Sequence, residues 1–150
     1  IVAYLGPGLR NAMVAIGIAS IPAFARVARA ATMLVMTQDF ILAARASGTS
    51  RVTTAVRHVL PNIAAVLGVQ ASVSFGIAVL AEAALSFLGL GTPPPTPTWG
   101  RMLHDAQTYI FTAPIQALWP GLAIGLAVLG LNLLGDGLRD HLDPRLREAA

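Results

Sequence analysis

Residues 43–61 read Ala43-Ala44-Arg45-Ala46-Ser47-Gly48, then nine further residues, then His58-Val59-Leu60-Pro61. The stretch is polar and carries Arg45, Arg51 and Arg57, yet it lies between segments apolar enough to cross a bilayer. Just before it, Asp39 can cap a helix in which Phe40, Ala43, Ala44 and Ser47 fall at i, i+3, i+4 and i+7, on one face, with Arg45 pointing away. Gly48 suits the left-handed position that ends a helix, and Ser50 can cap the next one. In that second helix Val52, Ala55, Val56 and Val59 form another stripe, which Pro61 is expected to break as the chain returns to apolar sequence. The expected unit is helix, glycine turn, helix, held between two spans. Physically it suits two uses: docking a cytoplasmic protein, or lying on anionic lipid.

Composition agrees with a membrane setting. The chain is 55% hydrophobic and 11% charged, with a mean hydropathy of +0.69, whereas soluble domains are about one-quarter charged. It has no Cys, which excludes disulfides and thiolate metal sites. All ten basic residues are Arg, so a phosphate-binding loop of the Walker type, which needs Lys, is excluded. The arginines do not cluster with aromatics on a soluble face, which argues against nucleic acid as a partner. His58, His104 and His141 fall in different segments, and no Ser–His–Asp or paired-carboxylate spacing recurs. No catalytic residue, metal or cofactor is therefore expected.

Three long stretches can span: about 10–36, 63–88 and 114–135. The second, Ile63 to Leu88, is 26 residues, or roughly 39 Å of helix. Ile1 to Leu5 looks like the end of an earlier span, followed by a Gly6-Pro7-Gly8 turn. With no initiator Met and no signal pattern, the chain is expected to be part of a longer protein. Arg26, Arg29, Arg45, Arg51 and Arg57 lie in or beside the 37–62 loop, and Arg139, Arg145 and Arg147 follow the last span. Arg10 and Arg101 alone fall on the other side. The positive-inside rule then puts the 37–62 loop and the 136–150 tail in the cytoplasm, and the 89–113 loop outside.

The external loop contains Pro93-Pro94-Pro95-Thr96-Pro97-Thr98-Trp99, expected to be a stiff turn of polyproline character anchored by interfacial Trp99. His104-Asp105 is expected to be solvated, with contact to a metal or a binding protein as the sharper alternative. Within the spans, Ala64, Gly68, Ser72 and Gly76 recur every four residues, as do Gly121 and Gly125. Such rows let helices approach closely in lipid. Glu82 is the one ionisable residue deep in a span, and either a pore-facing or an interhelical role fits it, as for Asn132. Asp136, Arg139, Asp140, Asp143, Arg145 and Arg147 are expected to pair among themselves in a solvated tail.

Ala43-Ala44-x3-Gly48-x9-His58-x-Leu60-Pro61 resembles the Glu-Ala-Ala loop of ATP-binding-cassette importer permeases, whose pattern is E-A-A-x3-G-x9-I-x-L-P. Two more stretches resemble the C-type permeases of dipeptide and oligopeptide importers. One runs from Ala81-Glu82-Ala83-Ala84-Leu85-Ser86-Phe87-Leu88-Gly89-Leu90-Gly91 to Pro97-Thr98-Trp99-Gly100. The other is Asn132-Leu133-Leu134-Gly135-Asp136-Gly137-Leu138-Arg139-Asp140 with Asp143-Pro144-Arg145-Leu146. The sequence departs from the pattern twice: Leu42 stands at the Glu position and His58 at the aliphatic one.

The resemblance implies an all-α transmembrane fold, a helical bundle like that of type I importer permeases with cytoplasmic coupling helices, of which this chain would be the C-terminal half or slightly more. It implies a transport subunit that is not itself an enzyme, in the inner membrane of a bacterium or archaeon. Its partners would be a second permease subunit, two cytoplasmic ATPase subunits that bind the ATP, an extracytoplasmic substrate-binding protein, and membrane lipid. The cargo would be short peptides; nickel or another small solute, or a membrane scaffold or secondary transporter without an ATPase, are the alternatives. ATPase coupling would fall to Asp39, Phe40, Ala43, Ala44, Arg45, Ser47, Gly48, Arg51, His58, Leu60 and Pro61. With Leu42 in place of Glu, the grip on the ATPase should rest on shape more than on charge.

Overall fold

A computed structural model describes Tyr4 and residues 6–142, with side chains through Arg139. The expected span end at residues 1–5 and the tail residues Asp143, Arg145 and Arg147 lie outside the described set, apart from Tyr4. Among the described residues the secondary structure is entirely helical. Helix α1 is Leu9–Met36 and α2 is Asp39–Ala46. A single helical run follows, made of α3 (Arg51–Thr53), a π-helical segment (Thr54–Val59) and α4 (Leu60–Phe87). Then come α5 (Trp99–Ala106), a 3₁₀ turn (Gln107–Tyr109) and α6 (Ile115–Leu142).

Three of these are long and apolar enough to cross a membrane: Leu9–Met36, Arg51–Phe87 and Ile115–Arg139. Large apolar side chains such as Phe75, Ile77, Leu126 and Leu133 are exposed on them. In lipid this carries no penalty, because the tails are as apolar as leucine. The 37-residue run from Arg51 measures roughly 55 Å, well beyond an apolar core of about 30 Å. Part of this run therefore extends past the hydrocarbon.

The chain forms two compact units. One uses the chain up to Ser20 together with Val73–Leu133. Here Gly6 and Gly8 take positive φ, 85° and 148°, in the turn that starts α1. Asn132 in α6 faces Gly76 in α4: a Cβ built on that glycine would lie 3.5 Å from Asn132 Oδ1. The other unit uses Ile21–Ser72 and the chain from Leu134. There Gly135 meets Ser72, and a Cβ on the glycine would come within 2.7 Å of the serine Cβ. Ser72 and Gly76 thus act as the close-packing positions the four-residue row suggests. Gly68, Gly121 and Gly125 face open space.

Candidate functional site

Helix α2 is short, and both of its ends are well defined. Gln38, extended at φ −76° and ψ 147°, is the flanking residue, and its carbonyl accepts from the Ile41 and Leu42 amides. Asp39 is therefore the first helical residue and not the cap, and its carboxylate complements the positive end of the helix. At the other end Gly48 adopts φ +77°. The Thr49 amide donates to Ala44 O at 3.1 Å and the Gly48 amide to Arg45 O at 3.0 Å, the paired bonds of a Schellman terminus. Ser50 then caps α3, accepting from the Thr53 amide at 3.2 Å.

The second half of the loop departs from its expected periodicity. Val52 and Val56 are exposed, while Thr54 and Val59, five residues apart, are buried. A stripe drawn at 3.6 residues per turn fails here because residues 54–59 are wound as a π-helix, whose bonds run from i to i+5. Pro61 does not end the helix as expected. It sits in the first turn after the wide segment, where its missing N–H and its ring are most easily accommodated. The carbonyl of His58 accepts from Asn62 Nδ2 at 2.6 Å.

Ile41 fixes this loop to the spans. It is 0% exposed and clusters with Val59 and Ile63, against which Ala31, Val35, Met36 and Leu67 also pack. The small residues do not point to Ile41; its being the one β-branched residue of α2 is the signal that does. With Ile41 turned inward, Phe40, Leu42, Ala43 and Ser47 are exposed and Ala44 half-buried, so the small-residue face is free. Leu42 makes this surface apolar at the position where the related pattern carries a charge. Phe40 meets His58, ring centroids 6.5 Å apart and tilted by 53°. Arg45 reaches back to α1, its Nη2 3.9 Å from Met36 Sδ. Arg51, Leu60 and Pro61 are exposed.

Glu82 lies in the other unit. Its Oε1 accepts from Ser86 Oγ at 2.6 Å, a bond within its own helix. The carboxylate also lines a cleft of about 620 Å³ whose other walls include Met13, Phe75, Trp99 and Met102. The 89–113 loop that closes this region is more ordered than its prolines suggest. Gly89, at φ +80°, ends α4 in a second Schellman terminus, with Leu90 N to Leu85 O at 2.8 Å and Gly89 N to Ser86 O at 3.1 Å. Thr98 caps α5 by accepting from the Arg101 amide at 3.2 Å. A Cβ on Gly100 would strike the Ala83 carbonyl and stand 2.8 Å from Ala83 Cα, and one on Gly91 would stand 2.6 Å from Ser86 Cα. Two glycines thus let the loop lie directly on the last turns of α4. His104 is only half-exposed: its Nδ1 is 2.7 Å from Phe87 O, and its ring stands edge-on to Phe87 at 6.1 Å, while Asp105 is exposed as expected. Asp105 pairs with Arg101 at 3.1 Å. Among the described residues no cluster of His, Cys, Asp or Glu could hold a metal.

Comparison with known proteins fits this geometry. Residues 1–148 match the family described as "Binding-protein-dependent transport system inner membrane component". The chain is 52% identical over 150 residues to the di/tripeptide transport system permease protein DppC of Pseudomonas aeruginosa, covering 100% of this chain and 50% of that protein. It is 48% identical over 147 residues to the dipeptide transport system permease protein DppC of Alkalihalophilus pseudofirmus, covering 98% and 48%. The same figures, 48% over 147 residues with 98% and 48% coverage, describe the glutathione transport system permease protein GsiD of Escherichia coli O1:K1 / APEC. The chain spans about half the length of the curated relatives it matches. The family's fold is that of type I ATP-binding-cassette importer permeases, and a helical chain with three membrane-crossing helices accords with it. A family match over nearly every residue, joined to relatives about half identical throughout, makes this chain a member of the binding-protein-dependent transport system inner membrane component family.

Proposed function

We propose that the chain is part of a permease subunit of an ATP-driven importer of short peptides, and that residues 39–61 receive the ATPase. The single observation that carries this reading is the inward anchoring of Ile41, which leaves Phe40, Leu42, Ala43 and Ser47 exposed on a helix fixed to two spans. A helix held in this way moves with its spans. Closure of paired cytoplasmic ATPase subunits, which bind and hydrolyse the ATP, would carry α2 along and tilt α1 and α4, switching the path between outward- and inward-facing states. The arginine distribution supports a cytoplasmic position for this loop and for the C-terminus. A second permease subunit completes the path, and an extracytoplasmic binding protein delivers the solute to the 89–113 side. The relatives' names (dipeptide, di/tripeptide, glutathione) favour short peptides as cargo. We assign Glu82 to the wall of that path, where a carboxylate among apolar side chains suits a peptide's ammonium group.

Gly48→Val tests the docking role. Its φ of +77° disfavours any side chain, and a β-branched one most, although the space beside it is open. Loss of peptide uptake together with loss of ATPase subunits from the purified complex is the expected result. Normal uptake with the ATPase retained would remove the loop from the coupling route.

A further inference from the structure

Beside α2, on the side away from its small-residue face, the unit holds a groove of about 830 Å³. Arg45 and Arg51 both line it, together with Thr49 and Thr54. Thr32 adds a third hydroxyl, and the rest of the wall is apolar and includes the exposed Val56 and Leu60, at the start of the long span. Among the described residues no carboxylate lines the groove, and the only ion pair is Arg101–Asp105, in the other unit. Two arginines thus line one concavity, with no counter-charge among the described residues of its lining. A guanidinium fork matches phosphate oxygens in two-point hydrogen bonding. A groove with a cationic, hydroxyl-bearing end and an apolar end continuous with a membrane span has the polarity of a phospholipid.

We propose that this groove binds one anionic phospholipid, its phosphate held by Arg45 and Arg51 and an acyl chain along the exposed Val56 and Leu60. The lipid neutralises the two arginines and so stiffens the lever. The assignment does not depend on the cargo or on the docking role of the opposite face.

The test uses the full permease complex with its partner subunits, delipidated in a neutral detergent. Phosphatidylglycerol or phosphatidylcholine is added, and binding is read by native mass spectrometry and by thermal unfolding. Wild type is expected to retain one phosphatidylglycerol per site at least tenfold more tightly than phosphatidylcholine, and to unfold at a higher temperature with it. The double variant Arg45→Gln, Arg51→Gln should lose that preference, and Arg45→Lys with Arg51→Lys, which keeps the charge, should retain most of it. Equal retention of both lipids by wild type would overturn the proposal. So would glycerol phosphate giving the same stabilisation, which would make the ligand a free phosphate. If the Gln variant sheds ATPase subunits while its lipid preference is unchanged, the arginines serve the protein partner and the proposal also fails.

Discussion

The rings of Phe40 and His58 lie 6.5 Å apart, joining the exposed face of α2 to the π-helical segment that starts the second span. His58 occupies a position that is aliphatic in the related pattern, so the contact needs bulk rather than an imidazole. His58→Ile is expected to leave peptide uptake within about twofold of wild type, whereas Phe40→Ala, which removes both the contact and an exposed aromatic, should lower uptake severalfold with the ATPase still bound. Uptake assays in cells carrying each variant decide this, and equal loss in both variants would make the imidazole itself necessary.

Ile41 is the anchor, and its removal should uncouple without abolishing assembly. Truncating a fully buried Ile to Ala costs about 2–5 kcal/mol in general. Because α2 has only eight residues, that loss should free it from Val59 and Ile63 before the spans unfold. Ile41→Ala is expected to raise proteolytic cleavage near Gly48 and to let ATP hydrolysis proceed with little transport. Parallel measurements of ATPase rate and uptake in reconstituted vesicles report the ratio directly.

Two glycines in different settings separate packing from sequence pattern. Gly100→Ala would drive a methyl into the Ala83 backbone, which cannot yield as a flexible side chain would. Overpacking of this kind costs about 1–3 kcal/mol, and the thermal midpoint of the complex should fall accordingly. Gly121→Ala meets nothing within 4 Å and should leave the midpoint unchanged or slightly raised.

For Glu82, the isosteric Gln keeps an oxygen to accept from Ser86 and removes only the charge. Assembly should therefore be normal. Losing one charge-assisted hydrogen bond to a peptide ammonium, about 1.5–3 kcal/mol, corresponds to a rise in KM of about tenfold or more. Uptake kinetics over a range of peptide concentrations measure it, and an unchanged KM would confine Glu82 to holding its own helix.

Much of this architecture is legible without coordinates. Blocks of apolar residues mark the three spans, because a bilayer demands length and apolarity and little else. Gly48 and Ser50 mark the turn, since a left-handed terminus and a cap each restrict residue choice locally. What periodicity could not give is the winding of residues 54–59: a stripe assumes 3.6 residues per turn, and a π segment shifts every later residue around the axis. Ile41 was missed for a related reason, as a single buried residue creates no period. The clamp of Gly100 and His104 onto α4 joins residues 17 apart in the chain, which no local pattern reveals, and the proline cluster before α5 hides that helix. Helix α6 continues through residues 136–142, beyond the span end expected at 135, because its charged residues are compatible with helix outside the lipid.

The central claim is that the α2 face opposite Ile41 docks an ATPase subunit. These 150 residues contain no cysteine, so Ala43→Cys gives a single thiol, on the exposed face, in this part of the permease. The decisive measurement is the rate of maleimide labelling of that thiol in membranes with and without the ATPase subunits. Strong protection when they are present, with free labelling when they are absent, is the expected result. Equal labelling in both would contradict the docking of this face and, with it, the proposed route of coupling.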